Sequence, residues 1–467
     1  MKKTNVPRSP ALLWIRRPIY LAGLFILAFN YMIFNGSRSN VQSKPEIGKV
    51  SKVSMDTETM TMTKQGKKKN NMETIAGSVE IDGTSTSSNA TNRINAKEVS
   101  ASTKALMDEH PMDHSLLKKI PYLEQIEKDL NPFSKNITLD MIQKANELEY
   151  TVRVQYINQT LYSYPVHLDN RGDISDSRSR TSVFVKLLQD TVKRYKTPDF
   201  DMVINLHDGP RACGSSNLGV SIFSFQKTET CRDILIPCAV VGIGSKRFDD
   251  EIDHLSEKAK NYSWSQKMNK IIWRGSSTGG IWDNTNLDTM VRYRIFVECE
   301  KVELQNVCDV GLSRFTQTKA GITIDNPKII FRDQIPMHEW MKYKYEVVLD
   351  GNGSPAGRID RQLAHNSLLL MQETEHFQMY TKYMKPFVHY VPLQRNISDL
   401  GAAYQWASEN EEKVLMIIHA ANGFAQYLKR ESILYYTHVL LTKYSSTLSF
   451  KPRLESGYVG YMLMVLE

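Results

Sequence analysis

From Ser177 onward, short apolar segments alternate with helix-like segments along this chain of 467 residues. Alternation of this kind is typical of α/β proteins, in which helices cover parallel sheets of the doubly wound type. The predicted strands are 202–206, 221–225, 271–273, 345–349 and 388–391, preceded by a β-rich run at 151–162. The predicted helices are 182–195, 291–300, 359–370 and 397–409, followed by a strongly helical tail at 411–444.

Ligands of such sheets bind outside the carboxyl ends of the strands. Three predicted strands end in polar loops that contain glycine. Strand 202–206 leads to the His207-Asp208-Gly209 sequence, strand 271–273 leads to Arg274-Gly275-Ser276, and strand 345–349 leads to Asp350 and a glycine-rich loop. The sequence therefore predicts that the catalytic and ligand-binding residues lie in these three loops.

The glycine-rich loop contains Gly351, Gly353 and Gly357, and it ends in Arg358 before the predicted helix 359–370. Glycine lets a backbone approach a ligand closely, and a helix N-terminus beyond it favours an anion. A guanidinium adds a planar fork that matches phosphate oxygens. The pattern therefore predicts a phosphate site, although its spacing matches neither the P-loop nor G-x-G-x-x-G. The alternative is an ordinary strand–turn–helix connection.

Asp208 comes directly after a buried type of strand, where a carboxylate can act as a general base. The alternative is an aspartate that caps the following turn, which Gly209 and Pro210 would build. His207 alternates to the other face of the strand, so a paired role with Asp208 is not expected.

Arg274, Gly275 and Ser276 combine a guanidinium, a bare backbone and a hydroxyl, which together suit a diphosphate. A surface ion pair is the alternative for Arg274. Arg292 and Arg294 lie on the following predicted helix, where they either reach the same anion or remain solvated charges.

The sequence predicts no metal site. Its single D-x-D motif, Asp199 to Asp201, precedes strand 202–206 and therefore belongs at the sheet edge opposite to the ligand crevice. Neither a Ser/His/Asp nucleophile elbow nor H-E-x-x-H occurs. We expect no cofactor.

The N-terminal segment 18–34 carries no charge, and five basic residues with no acidic residue among them precede it. An uncharged stretch of 17 residues is at the short end of what spans a bilayer. The positive-inside rule predicts a cytosolic tail at 1–17, a signal anchor at 18–34 and a luminal remainder, as in a type II membrane protein of the Golgi or the endoplasmic reticulum. A cleaved signal peptide is the alternative, but its cleavage site would be poor.

Residues 35–105 are rich in Ser, Thr, Asn and Lys, and they contain few large apolar residues. Such composition predicts a flexible luminal stem, with the catalytic domain at 106–467. The formal net charge of +8 is spread along the chain, so we expect no nucleic-acid partner.

N-glycosylation sequons begin at Asn89, Asn136, Asn158, Asn261 and Asn396, and they mildly favour a luminal location. The five cysteines allow two disulfides with one thiol left over in an oxidising compartment. Buried thiols are the alternative.

Four blocks occur in the order DMVINLHDGP, KIIWRGSSTGG, KYKYEVVLDGNGSPAGR and MKPFVHYVPL. In this order they resemble the Rumi-like protein O-glucosyltransferases and the related fungal capsule-associated xylosyltransferases, over about 181–444. The resemblance implies a GT-B-like fold with two Rossmann-like halves. It also implies inverting, metal-independent transfer of glucose or xylose from UDP-glucose or UDP-xylose to a hydroxyl of a protein or glycan acceptor.

The resemblance implies roles for individual residues. Asp208 matches the catalytic base, and Ser276 matches a donor-binding serine. Arg274 belongs to the same block. The loop that holds the nucleotide sugar corresponds to Gly353, Ser354, Pro355, Ala356, Gly357 and Arg358.

The chain departs from this family pattern around 280–288, where an insertion displaces the arginine expected shortly after Arg274-Gly275-Ser276. Arg292 or Arg294 is expected to replace it. The alternative to an enzyme is a lectin-like or quality-control protein that retains the fold without catalysis. The presence of Asp208, Ser276 and Arg358 argues against that alternative.

Overall fold

The computed structural model describes residues 117, 119–133, 136–164, 174–217, 219–238, 248–355, 357–455 and 461–462. No helix in these ranges is both long enough and apolar enough to cross a bilayer. The predicted tail, anchor and stem at 1–17, 18–34 and 35–105 lie outside the described residues, as does Asn89.

Ten α-helices are present in the described ranges. They are α1 (Glu124–Leu130), α2 (Leu139–Asn146), α3 (Ile174–Arg194), α4 (Gly214–Asn217), α5 (Phe248–Ala259), α6 (Val291–Cys299), α7 (Ile359–Gln362), α8 (Leu400–Glu409), α9 (Glu411–Ala425) and α10 (Arg430–Ser445). The strands are β1 (Thr151–Ile157), β2 (Thr160–Ser163), β3 (Phe200–Asn205), β4 (Phe223–Ser224), β5 (Ile234–Leu235), β6 (Met268–Ser276), β7 (Cys308–Arg314), β8 (Tyr343–Val348), β9 (Leu368–Gln372), β10 (Val391–Leu393) and β11 (Tyr461–Met462).

The strands form two sheets, which confirms the predicted α/β class with parallel pairing. The second sheet has the order β10-β9-β8-β6-β7, and all of its ladders are parallel. Every residue of β9 is buried, as expected for a strand that is covered on both faces. The carboxyl ends of these strands therefore meet at one edge of the sheet.

The first sheet is mixed, with the order β11-β2-β1-β3-β4-β5. Strands β3, β4 and β5 are parallel, whereas β1 runs antiparallel to both β2 and β3. Asn158 and Gln159 join β1 to β2 with positive φ angles, which suits a tight hairpin turn. The alternation in the sequence did not predict this antiparallel part.

Two large hydrophobic cores support the sheets. The first core covers the first sheet, and Tyr436 and Tyr444 of α10 belong to it. Their hydroxyls donate to the carbonyls of Leu235 (3.0 Å) and Asp201 (2.8 Å). The second core packs against the second sheet, and α9 supplies residues to both cores. The last helix of the described chain thus completes the core of the first sheet.

The predicted helix 359–370 is wrong over most of its length. Helix α7 ends at Gln362, and Leu368–Gln372 forms β9 instead. Asn366 lies between them in the left-handed region, with φ of 58°, so a helix cannot continue through it.

The cysteines form two disulfides, Cys213–Cys231 and Cys299–Cys308, and Cys238 is a buried free thiol. The predicted two disulfides with one cysteine left over are confirmed.

Candidate active site

A cleft of about 1060 Å³ lies at the carboxyl ends of the second-sheet strands. Its walls include the loops after β6, β8, β9 and β10, and His207 lines it from the first sheet. The lining comprises His207, Gly279–Gly280, Asp288, Thr289, Val291, Arg294, Gln317, 350–352, 372–376 and 394–396. The cleft is where a doubly wound sheet binds its ligands.

Asp208 follows β3 directly after the cleft residue His207; it does not itself line the cleft, and its side chain is 34% exposed. Its Oδ1 accepts a hydrogen bond from Nη1 of Arg180 at 2.8 Å. Its Oδ2 accepts one from Nδ2 of Asn352 at 3.0 Å, from the loop after β8. A carboxylate offers about four acceptor positions, so two remain for a substrate.

The environment of Asp208 favours the ionised carboxylate. Burial by itself raises the pKa of Asp208, but the hydrogen bond from Asn352 and the charge of Arg180 outweigh it, and the pKa is lowered overall. At neutral pH the group is therefore ready to accept a proton.

His207 lines the cleft but does not form a hydrogen bond with Asp208 in the described structure. Its Nδ1 instead accepts from the backbone N–H of Gly209 at 3.0 Å. Burial, followed by the charge of Arg211, lowers the pKa of His207. This agrees with the expectation that His207 and Asp208 do not act as a pair.

Gly353 lets the loop after β8 approach the segment that follows β4. An added Cβ would lie 2.1 Å from Nε2 of the buried Gln226, which follows β4 of the first sheet. The same nitrogen donates to the carbonyl of Asp208. The bare backbone therefore accommodates Gln226, whereas the sequence had suggested close approach of a ligand.

Replacing Gly353 by Ala is expected to lower the free energy of unfolding by about 1–3 kcal/mol, because the methyl group overpacks a buried contact. It should also displace Gln226 and loosen the loop that carries Asp208. Thermal and urea unfolding would measure the change. Gly423→Ala is the matched control, because Gly423 lies in α9 and, apart from its chain neighbours and the backbone of its own helix, no atom lies within 4 Å of an added Cβ. That control should gain about 0.5–1 kcal/mol. Equal stability of wild type and Gly353→Ala would contradict the packing argument.

The rest of the predicted donor loop is turn structure. Gly357 has φ of 69°, in the left-handed region that favours glycine. The hydroxyl of Ser354 is buried and accepts from Nε2 of Gln378 at 3.1 Å, and Pro355 accepts the backbone N–H of Arg358 at 3.3 Å. Ala356 lies outside the described residues. Because α7 is a single turn, the anion site predicted at its N-terminus depends on side chains instead.

Arg292 in α6 connects two of the loops that border the cleft. Its Nε donates to the carbonyl of Asp350 at 2.7 Å, and its Nη1 donates to the carbonyl of Ser276 at 2.9 Å. The guanidinium lies directly behind Gly351 and close to the ring of Trp273. No hydrogen bond involves its Nη2 within the described part of the chain, so this nitrogen has a proton to offer.

Arg292 and Arg358 are cations with no carboxylate within ion-pair distance among the described residues. Within the described ranges the guanidinium of Arg358 donates one hydrogen bond, from Nη1 to the carbonyl of Arg274 at 2.9 Å, and it lies near the ring of Trp340. Burial and then the charge of Arg358 lower the pKa of Arg292, and burial lowers that of Arg358. Buried charges are normally paired, so this pair of guanidiniums fits an anion.

The other predicted donor ligands lie elsewhere. The guanidinium of Arg274 forms an ion pair with Asp309 at 2.6 Å and lines a separate depression with Ser313 and Arg332. The structure therefore does not bring Arg274 into the cleft. Arg294 lies at the cleft wall, where it donates to the carbonyl of Asn396 and lies 3.7 Å from Glu298. Ser276 contributes its backbone carbonyl, which accepts a hydrogen bond from Nη1 of Arg292.

The D-x-D motif is remote from the cleft, as predicted. Asp201 is buried and forms an ion pair with Arg153 at 2.6 Å, and it also accepts from Gln155. The described residues contain one grouping with metal-ligand spacing, Cys213, Cys231 and Asp233, but its two sulfurs are joined in a disulfide.

Comparison with known proteins identifies the family. The model of glycosyl transferase family 90 matches residues 118–464. The chain belongs to this family. Protein O-glucosyltransferase 2 of Danio rerio is 24% identical over 342 residues, which cover 71% of this chain and 64% of that protein. Protein O-glucosyltransferase 1 of Bos taurus is 25% identical over 357 residues, which cover 73% of this chain and 84% of that protein.

The family 90 chain thus spans less than two thirds of the Danio rerio relative's length. Among solved structures, "Crystal structure of Anabaena Alr3699/HepE in complex with UDP-glucose" covers 57% of this chain and 77% of that chain, with 9% identity and a TM-score of 0.31. A likeness of that size supports no conclusion about ligand or fold.

Three residues of the family 90 site were missed by sequence reasoning. Gln226 directly follows predicted strand 221–225, so the strand-end rule had the signal to find it. Asn352 lies in the glycine-rich loop but was assigned no role. Arg180 comes 28 residues before Asp208 and belongs to no motif, so only the fold brings the two together.

Proposed function

We propose that this family 90 protein is an inverting glycosyltransferase that moves glucose from UDP-glucose to a hydroxyl of a protein acceptor. The observation that carries the proposal is a combination of two features: the ionised Asp208 lies between the cleft residue His207 and its partner Asn352, and the loops that border the cleft are held by two guanidiniums, Arg292 and Arg358, that form no ion pair with a carboxylate among the described residues. An ionised base beside a cleft suits a hydroxyl nucleophile, and guanidiniums without an ion-pair partner suit a diphosphate leaving group. The two α/β sheets with a cleft beside them agree with a GT-B-like arrangement.

In the proposed step, the acceptor oxygen bonds to the anomeric carbon while its proton moves to Asp208. The bond between that carbon and the diphosphate oxygen breaks, and its electron pair leaves with UDP. Attack from the side opposite to UDP inverts the configuration. Arg292 and Arg358 would offset the charge that develops on the diphosphate, so we propose that the step needs no metal ion.

The relatives are protein O-glucosyltransferases, which favours glucose as the sugar and a protein as the acceptor. Transfer from UDP-xylose would change the proposed donor, and transfer to a glycan would change the proposed acceptor. We also propose a type II anchor at 18–34 and a luminal catalytic domain in the Golgi or endoplasmic reticulum. The two disulfides support an oxidising compartment.

The test is release of UDP by the purified full-length chain from UDP-glucose and UDP-xylose, with and without protein acceptors. We expect acceptor-dependent turnover with UDP-glucose that persists in EDTA, and a product of opposite anomeric configuration by NMR. Binding of UDP-sugars by folded protein with no turnover would favour a lectin-like protein. Loss of turnover in EDTA, with recovery on adding a divalent cation, would overturn the metal-independent step.

A further inference from the structure

Arg180 is the only described residue that pairs a positive charge directly with Asp208. It lies on α3, and its side chain is 25% exposed. One nitrogen, Nη1, donates both to Oδ1 of Asp208 and to the carbonyl of Leu206, each at 2.8 Å. The guanidinium therefore ties the carboxylate to the end of β3.

We propose that Arg180 is a positioning residue for the catalytic base, which it orients and keeps ionised. This inference rests on the proposed function of Asp208. Nη1 of Arg180 donates to the Leu206 carbonyl as well as to Asp208, so the backbone holds the guanidinium in place. Rotation of the Asp208 carboxylate would then break its hydrogen bond with that nitrogen. Asn352 holds the other carboxylate oxygen from the second sheet. The carboxylate is thus fixed from two sides, with its remaining lone pairs available to an acceptor hydroxyl.

The charge of Arg180 also affects the proton transfer itself. During the reaction Asp208 passes from carboxylate to carboxylic acid, and a neighbouring cation opposes that change. The cost is a weaker base, but the group stays deprotonated at lower pH, where an unpaired aspartate would begin to protonate. Arg180 therefore extends the working range of the base towards acidic pH.

Two other groups that face Asp208 also favour its ionised form, but neither supplies a full positive charge near neutral pH. Asn352 is neutral and contributes a hydrogen bond from the loop after β8. His207, on the same loop as Asp208, interacts with it through charge, but burial and Arg211 lower the pKa of His207 and so reduce its positive charge near neutral pH. Removing Arg180 should therefore change the pH dependence of kcat/KM.

The decisive variants are Arg180→Met, Arg180→Lys and the matched control Arg194→Met. Arg194 lies on the same helix but pairs with Glu431 at 3.0 Å, away from Asp208. In Arg180→Met we expect kcat to fall about 10- to 100-fold. The acidic limb of the kcat/KM profile should move up by about one pH unit, while the Kd for UDP stays unchanged. Arg180→Lys keeps a charge and should retain the acidic limb, and Arg194→Met should match wild type throughout.

A second measurement does not depend on turnover. Carbodiimide labels protonated carboxyl groups, so peptide mass spectrometry of Asp208 across pH gives the protonation midpoint directly. We expect this midpoint to rise in Arg180→Met and to stay near wild type in Arg180→Lys. An unchanged midpoint and acidic limb in folded Arg180→Met would overturn the inference. If wild type itself shows no turnover with any UDP-sugar, the proposed function fails, and the labelling still reports whether Arg180 controls the charge of Asp208.

Discussion

Replacing Asp208 by Asn is expected to lower kcat about 10²- to 10⁴-fold, because an amide cannot accept the proton of the acceptor hydroxyl. The substitution keeps the size of the side chain, and the Arg292–Arg358 pair is untouched. Binding of UDP, measured by calorimetry, should therefore stay near its wild-type value. Single-turnover transfer from UDP-glucose to a protein acceptor would measure the loss.

Asp199→Asn provides the control for Asp208→Asn. Asp199 lies at the opposite end of β3, where it accepts from the backbone N–H of Asn158 at 3.1 Å. It also belongs to the D-x-D motif, so unchanged transfer in this variant would support the exclusion of that motif from metal and donor binding. Near-normal turnover in Asp208→Asn would remove Asp208 as the base.

The second large effect is expected at Arg292. Replacing it by Met should weaken UDP binding about 10- to 100-fold, because a hydrogen bond to a charged group typically contributes about 1.5–3 kcal/mol. The change also removes the hydrogen bonds that hold the carbonyls of Ser276 and Asp350, so the loops bordering the donor site should loosen. Calorimetric titration with UDP would give the affinity.

Arg294→Met separates the two arginines that the sequence left as alternatives. Arg294 lies at the cleft wall and already interacts with Glu298, so its loss should change UDP affinity less than loss of Arg292. A larger effect at Arg294 than at Arg292 would transfer the donor role to Arg294. Arg358→Met should resemble Arg292→Met, because both guanidiniums lack carboxylate partners.

The sequence predicted β6 and β8 of the second sheet, and the start of β10, because these strands contain short apolar runs bounded by polar loops. It did not predict β7 (Cys308–Arg314), whose residues are a mixture of apolar, polar and charged side chains. It failed at 359–370, where apolar residues at helical spacing masked a break at Asn366. The run Leu368–Gln372 is fully buried, and a short continuous apolar run of this kind fits a parallel strand as well as a helix. Periodicity alone could not choose between them.

The sequence could identify site residues only where their position directly after a strand or loop marked them. Asp208 could be found because it ends a strand, and Arg358 because it ends a glycine-rich loop. The role of Arg274 depends on its neighbour across the sheet, since Asp309 of β7 pairs with it. Strand order was not available from the sequence, so an arginine beside a predicted anion site was assigned to that site.

Helix α10 has a consequence for the way this protein is made. Its residues Tyr436 and Tyr444 close the core of the first sheet, although β1 and β3 are synthesised about 280 and 240 residues earlier. The first sheet therefore cannot finish folding before α10 has been synthesised, and its apolar surface stays exposed until then. Premature stop codons before α10 should thus yield an insoluble, chaperone-bound product rather than a stable N-terminal half.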